Sequence, residues 1–293
     1  MTPRQRFVLL LFLGLALAAT PAAAAPYLWE VLSMNKRVYL FGTVHAGRKE
    51  WFPLPREVED AYEDSSVLVV EADITDGNAA AGAARAMTYP PPDALRAHVS
   101  LDDYERFSKL LPRYGLLETQ VERMKPFMAA SALVFGEWGR VGYLSQFSVD
   151  AYLIHKAKAD RKPIVELEGN AAQIALMISF SEKEAMTMFK GTLDALESGL
   201  ADEQIAGLVG AWQNGDPQLV LEIARRYNER VPGAAGIEEK FVWSRHEAMA
   251  RKIEGYLNET KQRHFIAVGA LHLAGPRGLL EMLRKRGYVV RQL

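Results

Sequence analysis

The chain has 293 residues, of which 49% are hydrophobic and 24% are charged, which are the proportions of an ordinary globular protein. Its formal net charge is -1, so no overall electrostatic field recruits nucleic acid or anionic lipid. The sequence contains no cysteine, which excludes disulfide bonds, a thiol enzyme and a lipid-anchored cysteine.

The N-terminal segment has the pattern of a secretory signal peptide. Arg4 and Arg6 precede an apolar stretch over residues 7–18, and a run of small residues then ends at Ala25. The apolar stretch is short for a membrane-spanning helix, which needs ~20 residues. We therefore expect cleavage after Ala25 and a periplasmic or secreted protein with no stable membrane span after that cleavage.

The mature chain, residues 26–293, is expected to form a single domain. Apolar runs over residues 27–32 and 37–41 predict a β-hairpin. A short helix over residues 55–64 and a buried strand over 66–71 follow, and this strand-helix-strand order predicts a parallel strand pair.

The middle of the chain is mostly helical in pattern. Residues 77–92 are rich in alanine and then proline, and predict an irregular segment. The remaining predicted elements are helices over 100–111, 126–138, 148–158, 171–228 (broken at 214–217), 240–257 and 275–286, and strands over 163–168, 265–268 and 288–292. This order predicts an α/β (α+β) fold, a mixed central sheet with flanking helices and a long helical insertion.

Two Gly-x-x-His motifs, near opposite ends of the chain, each follow an apolar strand. They are Gly42-Thr43-Val44-His45 and Gly269-Ala270-Leu271-His272. Polar groups at the carboxyl ends of strands in an α/β sheet converge on one crevice, so we expect His45 and His272 to share a site. The glycines have a structural explanation as well, either a tight turn with positive φ or a close backbone approach.

Two carboxylates also follow predicted strands. Glu71 and Glu168 both come after apolar residues, and isolated charges are costly to bury without partners. Asp73 could carry the charge in place of Glu71, and Glu168 could instead cap the next helix or pair with an arginine. Arg245 is either a clamp for an anionic group in the crevice or an ordinary arginine on a helix surface.

These residue types predict a metal site with His45, His272, Glu71 and Glu168 as ligands, and with Glu71 and Arg245 as catalytic groups. Imidazole and carboxylate ligands suit divalent manganese, cobalt, zinc or iron. Such a metal would lower the pKa of a bound water toward ~7. Without a metal, the same groups could act as a general base and an electrostatic clamp.

Several segments resemble the TraB/GumN family in order and spacing across essentially the whole mature chain. The segments that carry the resemblance are Tyr39-Leu40-Phe41-Gly42-Thr43-Val44-His45, Val69-Val70-Glu71-Ala72-Asp73, Ile164-Val165-Glu166-Leu167-Glu168, Ala211-Trp212-Gln213-Asn214-Gly215-Asp216 and Ala267-Val268-Gly269-Ala270-Leu271-His272-Leu273-Ala274-Gly275.

The family is similar to the Tiki proteins, which are metal-dependent proteases that act on Wnt with manganese or cobalt, and more distantly to erythromycin esterases and ChaN-type haem-binding proteins. The resemblance implies that His45 and His272 face a metal, with Glu71 as the acidic partner. Arg245 matches a position where relatives have an arginine followed by asparagine. Here His246 replaces the asparagine, which leaves the role of that helix open.

The sequence leaves open a structural partner of an envelope complex, in which the two histidines would be elements of the fold, and two classes of function that use the crevice. The first is a metal-dependent, peptidase-like hydrolase of the cell envelope, acting on a peptide or small-molecule substrate. The second is a non-catalytic periplasmic binding or regulatory protein for a peptide, haem or a polysaccharide-related ligand. The sequence does not indicate an oligomeric state.

Overall fold

The computed structural model describes residues 25–34, 36–258 and 262–293. The predicted signal peptide, except for its last residue, lies outside the described residues. The strands are β1 (Leu28–Ser33), β2 (Lys36–Thr43), β3 (Val67–Val70), β4 (Ile164–Glu166), β5 (His264–Gly269) and β6 (Val289–Gln292). The helices of the first half are α1 (Arg56–Glu63), α2 (Gly77–Ala86), α3 (Leu101–Leu110), α4 (Glu118–Val121), α5 (Pro126–Arg140) and α6 (Val149–Asp160). Those of the second half are α7 (Asn170–Ile178), α8 (Glu182–Glu197), α9 (Leu200–Gln213), α10 (Pro217–Arg230), α11 (Ala234–Phe241), α12 (His246–Asn258), α13 (Ala270–Leu273) and α14 (Leu279–Lys285).

The six strands form one mixed sheet in the order β4-β3-β5-β2-β1-β6. The neighbouring pairs β4-β3, β3-β5 and β5-β2 are parallel, whereas β1 runs antiparallel to both β2 and β6. The four parallel strands therefore end at the same edge of the sheet. The α/β fold and the mixed sheet predicted from the sequence are confirmed.

Two hydrophobic cores hold the elements in place. The first covers the sheet, because β2, β3 and β5 consist almost wholly of buried apolar residues that pack against the flanking helices. The second lies within the helical insertion, where α3, α5 and α8 pack around Phe107, Leu133, Phe189 and Leu193. Burial of each such side chain contributes roughly 1.5–3 kcal/mol to the stability of the fold. The helical insertion therefore has a stabilising hydrophobic core of its own, beside that of the sheet.

Several local predictions are wrong. The helix expected over residues 171–228, with one break at 214–217, is further divided between α7 and α8 and between α8 and α9, and the strands expected to pair in parallel, β2 and β3, are separated by β5. Residues 77–86 form α2 rather than an irregular segment, because the Asp76 side chain caps the helix at the Asn78 amide and alanine is the best helix former. The single helix expected over residues 240–257 is broken at Val242, so that α11 and α12 are separate elements joined by the 3-10 turn Trp243–Arg245. The helix expected from residue 275 begins at Leu279.

Within the three described stretches, no helix combines the length and the apolar character that crossing a membrane requires.

Candidate functional site

The structure brings together the side chains that follow the four parallel strands. His45 lies two residues after β2, Glu71 lies directly after β3, and Glu168 lies two residues after β4. His272 lies in α13, the short helix that begins immediately after β5. The helix break at Val242 adds Arg245 to this group. The roles predicted for these residues, as metal ligands and catalytic groups, stay predictions.

Glu71 is at the centre of the cluster, with 12% of its side chain exposed. Its Oε1 accepts a hydrogen bond from the Gly269 amide at 2.7 Å, and its Oε2 accepts bonds from Arg245 Nη2 at 2.6 Å and Gln173 Nε2 at 3.3 Å. Burial alone would raise the pKa of Glu71, but His272, which is charged only in the acid range, and the Arg245 guanidinium outweigh it and lower that pKa to about 2. The carboxylate is therefore ionised at neutral pH.

Arg245 forms a paired contact with Glu168. Its Nε donates to Glu168 Oε1 at 2.8 Å and its Nη2 donates to the other carboxylate oxygen. Only 13% of the arginine side chain is exposed, so the interpretation of Arg245 as a helix-surface residue is wrong. For Glu168, pairing with an arginine is the alternative observed. Asp73 instead pairs with Lys158 at 2.9 Å and does not take the place of Glu71.

His45 is oriented by a carboxylate that the sequence analysis missed. Its Nδ1 lies 2.9 Å from Asp150 Oδ2, and Asp150 Oδ1 accepts a hydrogen bond from Thr43 Oγ1 at 2.6 Å. Asp150 raises the pKa of His45 above its ordinary value. Because 64% of the His45 side chain is exposed, solvent screens part of this attraction.

His272 has the opposite environment, with only 7% of its side chain exposed. Its Nδ1 lies 2.8 Å from His246 Nε2, and its Nε2 lies 3.3 Å from Arg245 Nη1 and 3.5 Å from Glu71 Oε1. Burial lowers the pKa of His272 to about 3, so this imidazole is neutral at neutral pH. The two matched histidines therefore favour different protonation states.

A small space beside Gly269 joins these groups. A Cβ atom placed on Gly269 would lie 3.4 Å from Glu71 Oε1, 3.5 Å from His272 Cδ2 and 3.8 Å from His45 Nε2. The three side chains thus border one point, which remains open because residue 269 has no side chain.

The donor types around this point fit a divalent metal, since two imidazoles and one carboxylate are a common ligand set. The positions do not by themselves form a ligand set: nowhere in the described parts of the chain are three His, Asp or Glu side chains grouped so that they could hold a metal ion. Metal–ligand bonds of ~2.0–2.2 Å would require His45, His272 and Glu71 to close on this space.

His45, Glu71, Arg245 and His272 line a cavity of about 450 Å³. Residues of the helical insertion also line this cavity, and most of them are apolar. The apolar ones on α5, α9, α10 and near the end of α11 are Val134, Phe135, Trp138, Leu208, Trp212, Val220, Ala224, Phe241 and Val242, and the others are Gln204, Tyr227, Asn228 and Glu238. Trp212 is held in place because its indole Nε1 donates to the carbonyl oxygen of Gly42 at 2.7 Å. The cavity therefore offers both polar groups and apolar contact.

Sequence reasoning missed Asp150 because an acidic residue in the first turn of a helix is also what the helix dipole favours. A signal was present in the order Ser148-Val149-Asp150, where Ser148 caps α6 and fixes where the helix begins. The neighbour that would have revealed its role, His45, is 105 residues away in the chain.

The chain is similar to several known proteins over most of its length. It is 22% identical over 263 residues to the uncharacterized protein YbaP of Escherichia coli, with 88% of this chain and 93% of that protein covered. It is also 22% identical over 310 residues to metalloprotease TIKI2 of Xenopus tropicalis and over 309 residues to human metalloprotease TIKI1. About 90% of this chain is covered in both cases, but the chain spans only 59% and 61% of those two proteins.

No solved structure matches the chain. The model of the TraB/PrgY/gumN family matches residues 27–292, which include all six strands and every side chain of the cluster. The chain therefore belongs to the TraB/PrgY/gumN family.

Proposed function

We propose that the protein is a metal-dependent, peptidase-like hydrolase. The observation that carries this proposal is the convergence of His45, Glu71 and His272 on the open point beside Gly269, in the lining of a cavity large enough for a substrate side chain. The relatives named as metalloproteases support the same chemistry at the level of the family. The arginine-led apolar N-terminus supports a site of action in the cell envelope.

His45, His272 and Glu71 would hold the divalent metal, manganese, cobalt or zinc. A metal so bound would polarise a substrate carbonyl and supply a hydroxide near neutral pH. Arg245 keeps Glu71 ionised, which is the state of a carboxylate that binds cations. Asp150 orients His45 through Nδ1, so that Nε2 is the nitrogen nearest Gly269.

The cavity walls indicate the class of peptide. Because the residues of the helical insertion that line the cavity are mainly apolar, a substrate residue with an apolar side chain would bury its surface there at roughly 25 cal/mol per Å². Trp138 and Trp212 provide flat surfaces for an aliphatic or aromatic side chain. We infer that the preferred peptides carry an apolar residue next to the cleaved bond.

The test begins with chelated protein, to which manganese, cobalt or zinc is added while binding is measured by calorimetry and cleavage by a peptide library. We expect stoichiometric binding of at least one metal and cleavage that depends on it. His45→Ala, His272→Ala and Glu71→Gln should each weaken metal binding by about 10-fold or more. His155→Ala, which changes an exposed histidine on α6, is the matched control and should behave as wild type.

Absence of metal binding together with unchanged hydrolysis in His45→Ala would overturn the proposal. Tight binding of an apolar peptide with neither metal dependence nor turnover would instead identify a non-catalytic binding protein.

A further inference from the structure

We propose that His246 is a positioning residue that holds His272 in the tautomer whose Nε2 lone pair faces the cavity. The protonation pattern follows from contacts alone, whereas its catalytic consequence rests on the proposed function. His246 is the first residue of α12 and is 1% exposed. Its described hydrogen bonds go to the Arg277 carbonyl oxygen and to His272, and it is not among the residues that line the cavity. We therefore do not expect His246 itself to touch metal or substrate.

The direction of hydrogen bonding is fixed at one end by a carbonyl group. His246 Nδ1 lies 2.7 Å from the carbonyl oxygen of Arg277, and a carbonyl oxygen can only accept. His246 Nδ1 therefore carries the proton. In a neutral imidazole the other nitrogen is then an acceptor, so His246 Nε2 accepts the hydrogen bond from His272 Nδ1 at 2.8 Å.

The other end of the chain of contacts gives the same direction independently. Arg245 Nη1 lies 3.3 Å from His272 Nε2, and a guanidinium can only donate. His272 Nε2 is therefore the acceptor in this contact, which is shorter than the 3.5 Å between Nε2 and Glu71 Oε1. The acceptor-only carbonyl of Arg277 and the donor-only guanidinium of Arg245 agree on one arrangement, with the proton of each ring on Nδ1.

This arrangement determines what His272 can do. Its Nε2, with a free lone pair, is the nitrogen that lies near Glu71, and both residues line the cavity. Only a nitrogen with a free lone pair can bind a cation or take up a proton. Without the acceptor at residue 246, the buried Nδ1 proton loses its partner. Only the 3.3 Å contact with Arg245 then opposes the other tautomer, whose Nε2 proton would face Glu71 Oε1 at 3.5 Å.

The decisive measurement is ¹⁵N NMR of the histidine rings in metal-free protein. For wild type we expect His272 to show a protonated Nδ1 and an unprotonated Nε2. His246→Phe keeps an aromatic ring but removes the acceptor, and should shift His272 toward the Nε2-protonated tautomer. His246→Asn offers a side-chain oxygen in its place and should keep most of the wild-type pattern.

Metal affinity provides the second measurement. His246→Phe should lower the affinity for manganese or cobalt by about 10- to 100-fold, the range for partners that orient a ligand, and His246→Asn should recover most of it. His264→Phe is the matched control, since it makes the same substitution at a buried histidine at the opposite end of β5. Thermal unfolding of each variant separates loss of fold from loss of orientation.

The proposal is overturned if wild-type His272 carries its proton on Nε2, or if His246→Phe folds and leaves the tautomer and metal affinity unchanged. The wild-type spectrum decides the matter even if His246→Phe does not fold. If the protein shows the expected tautomer but binds no metal and cleaves no peptide, the proposed function is contradicted. The role of His246 in orienting His272 then still holds.

Discussion

The glycines of the two Gly-x-x-His motifs differ in what they make possible. A Cβ at Gly42 would lie 2.2 Å from Tyr27 Cδ1, so Gly42 allows an aromatic ring to pack closely against β2. At Gly269 the nearest atoms are at ordinary contact distances of 3.4 Å or more. Gly42 lies within a strand and Gly269 has a φ of −52°, so the explanation of both by positive φ is wrong. Gly42 serves packing, whereas Gly269 leaves space in the site.

Gly269→Ala should therefore separate stability from function. Alanine adopts a φ of −52° without strain, so we expect the unfolding free energy to stay the same or rise by up to ~1 kcal/mol. The added methyl group would fill the space bordered by Glu71, His272 and His45. Manganese affinity should fall by at least about tenfold, ~1.4 kcal/mol. Urea unfolding and calorimetric titration measure the two quantities on the same sample.

Gly42→Ala is the contrasting control. Its Cβ would overlap the Tyr27 ring, and such overpacking costs typically ~1–3 kcal/mol of unfolding free energy. A Gly269→Ala protein that binds manganese as tightly as wild type would show that the metal does not occupy the space beside Gly269.

At the scale of elements, the break between α11 and α12 matters most for the site. The sequence predicted one helix over residues 240–257, because its apolar spacing continues across Val242 and no glycine or proline marks a break. Val242 instead has φ −120° and ψ −70°, and the turn after it carries Arg245. Since the contacts of Arg245 with Glu71 and Glu168 span 174 and 77 residues, no local pattern could reveal this break.

The predictable part of the site is the part encoded in strands. Short apolar runs followed by a polar residue show where a buried strand ends, and parallel pairing then brings His45, Glu71 and His272 to one edge. The residues that orient them, Asp150 and His246, lie on helices whose faces depend on tertiary packing. Helix periodicity indicates which face is apolar but not which distant side chain a polar group meets.

An ion-pair network at Glu137 holds α5, which carries part of the apolar cavity wall. Glu137 is 1% exposed, and its Oε1 accepts bonds from Arg113 Nη2 at 2.9 Å and Arg140 Nη2 at 2.6 Å. Arg140 also donates to Asp202 on α9. Burial alone would raise the pKa of Glu137, but the bonds from Arg140 and its neighbours prevail and lower it to about 2.

Glu137→Gln should lower the unfolding free energy by roughly 1.5–3 kcal/mol at neutral pH, because hydrogen bonds to a charged group are lost. A carboxyl whose folded pKa is depressed stabilises the fold above its ordinary value of 4.5, and this contribution disappears as the pH falls toward 2. The difference between wild type and variant, measured by urea unfolding, should therefore shrink over that range.

Glu57→Gln provides the control for the Glu137 experiment, since Glu57 is an exposed carboxylate on α1. We expect its unfolding free energy to stay within about 0.5 kcal/mol of wild type. A Glu137→Gln protein as stable as wild type at neutral pH would contradict a structural role for the network.

At the scale of the whole molecule, the site exists only when the two ends of the chain have paired. The centre of the sheet pairs β2 with β5, so that Val38 lies opposite His264 and Thr43 lies opposite Gly269. β6 then pairs with β1 at the sheet edge. His45 and His272 therefore meet through global folding, and the charge of His45 and the burial of His272 in turn affect the stability of the whole chain.

His272 and Glu71 should make the metal-free protein sensitive to acid. The pKa of His272 is about 3 in the folded protein and 6.5 when unperturbed, so the unfolded chain binds the extra proton between these values and stability falls as the pH drops below 6.5. Glu71 adds to this loss between its ordinary pKa of 4.5 and its folded value of about 2. For one proton the slope is at most about 1.4 kcal/mol per pH unit.

His45 should act on the alkaline side. Because Asp150 raises its pKa, its contribution to stability is complete below the ordinary value of 6.5 and is lost as the pH rises through the folded value of about 9. This loss should be the smaller one, since solvent screens the exposed ring.

Urea unfolding in chelator should therefore show a stability maximum near pH 6.5, with the steeper decline on the acid side. His272→Gln should flatten the acid decline and His45→Gln the alkaline one. Identical profiles for both variants and wild type would mean that neither histidine has the protonation state inferred from its contacts.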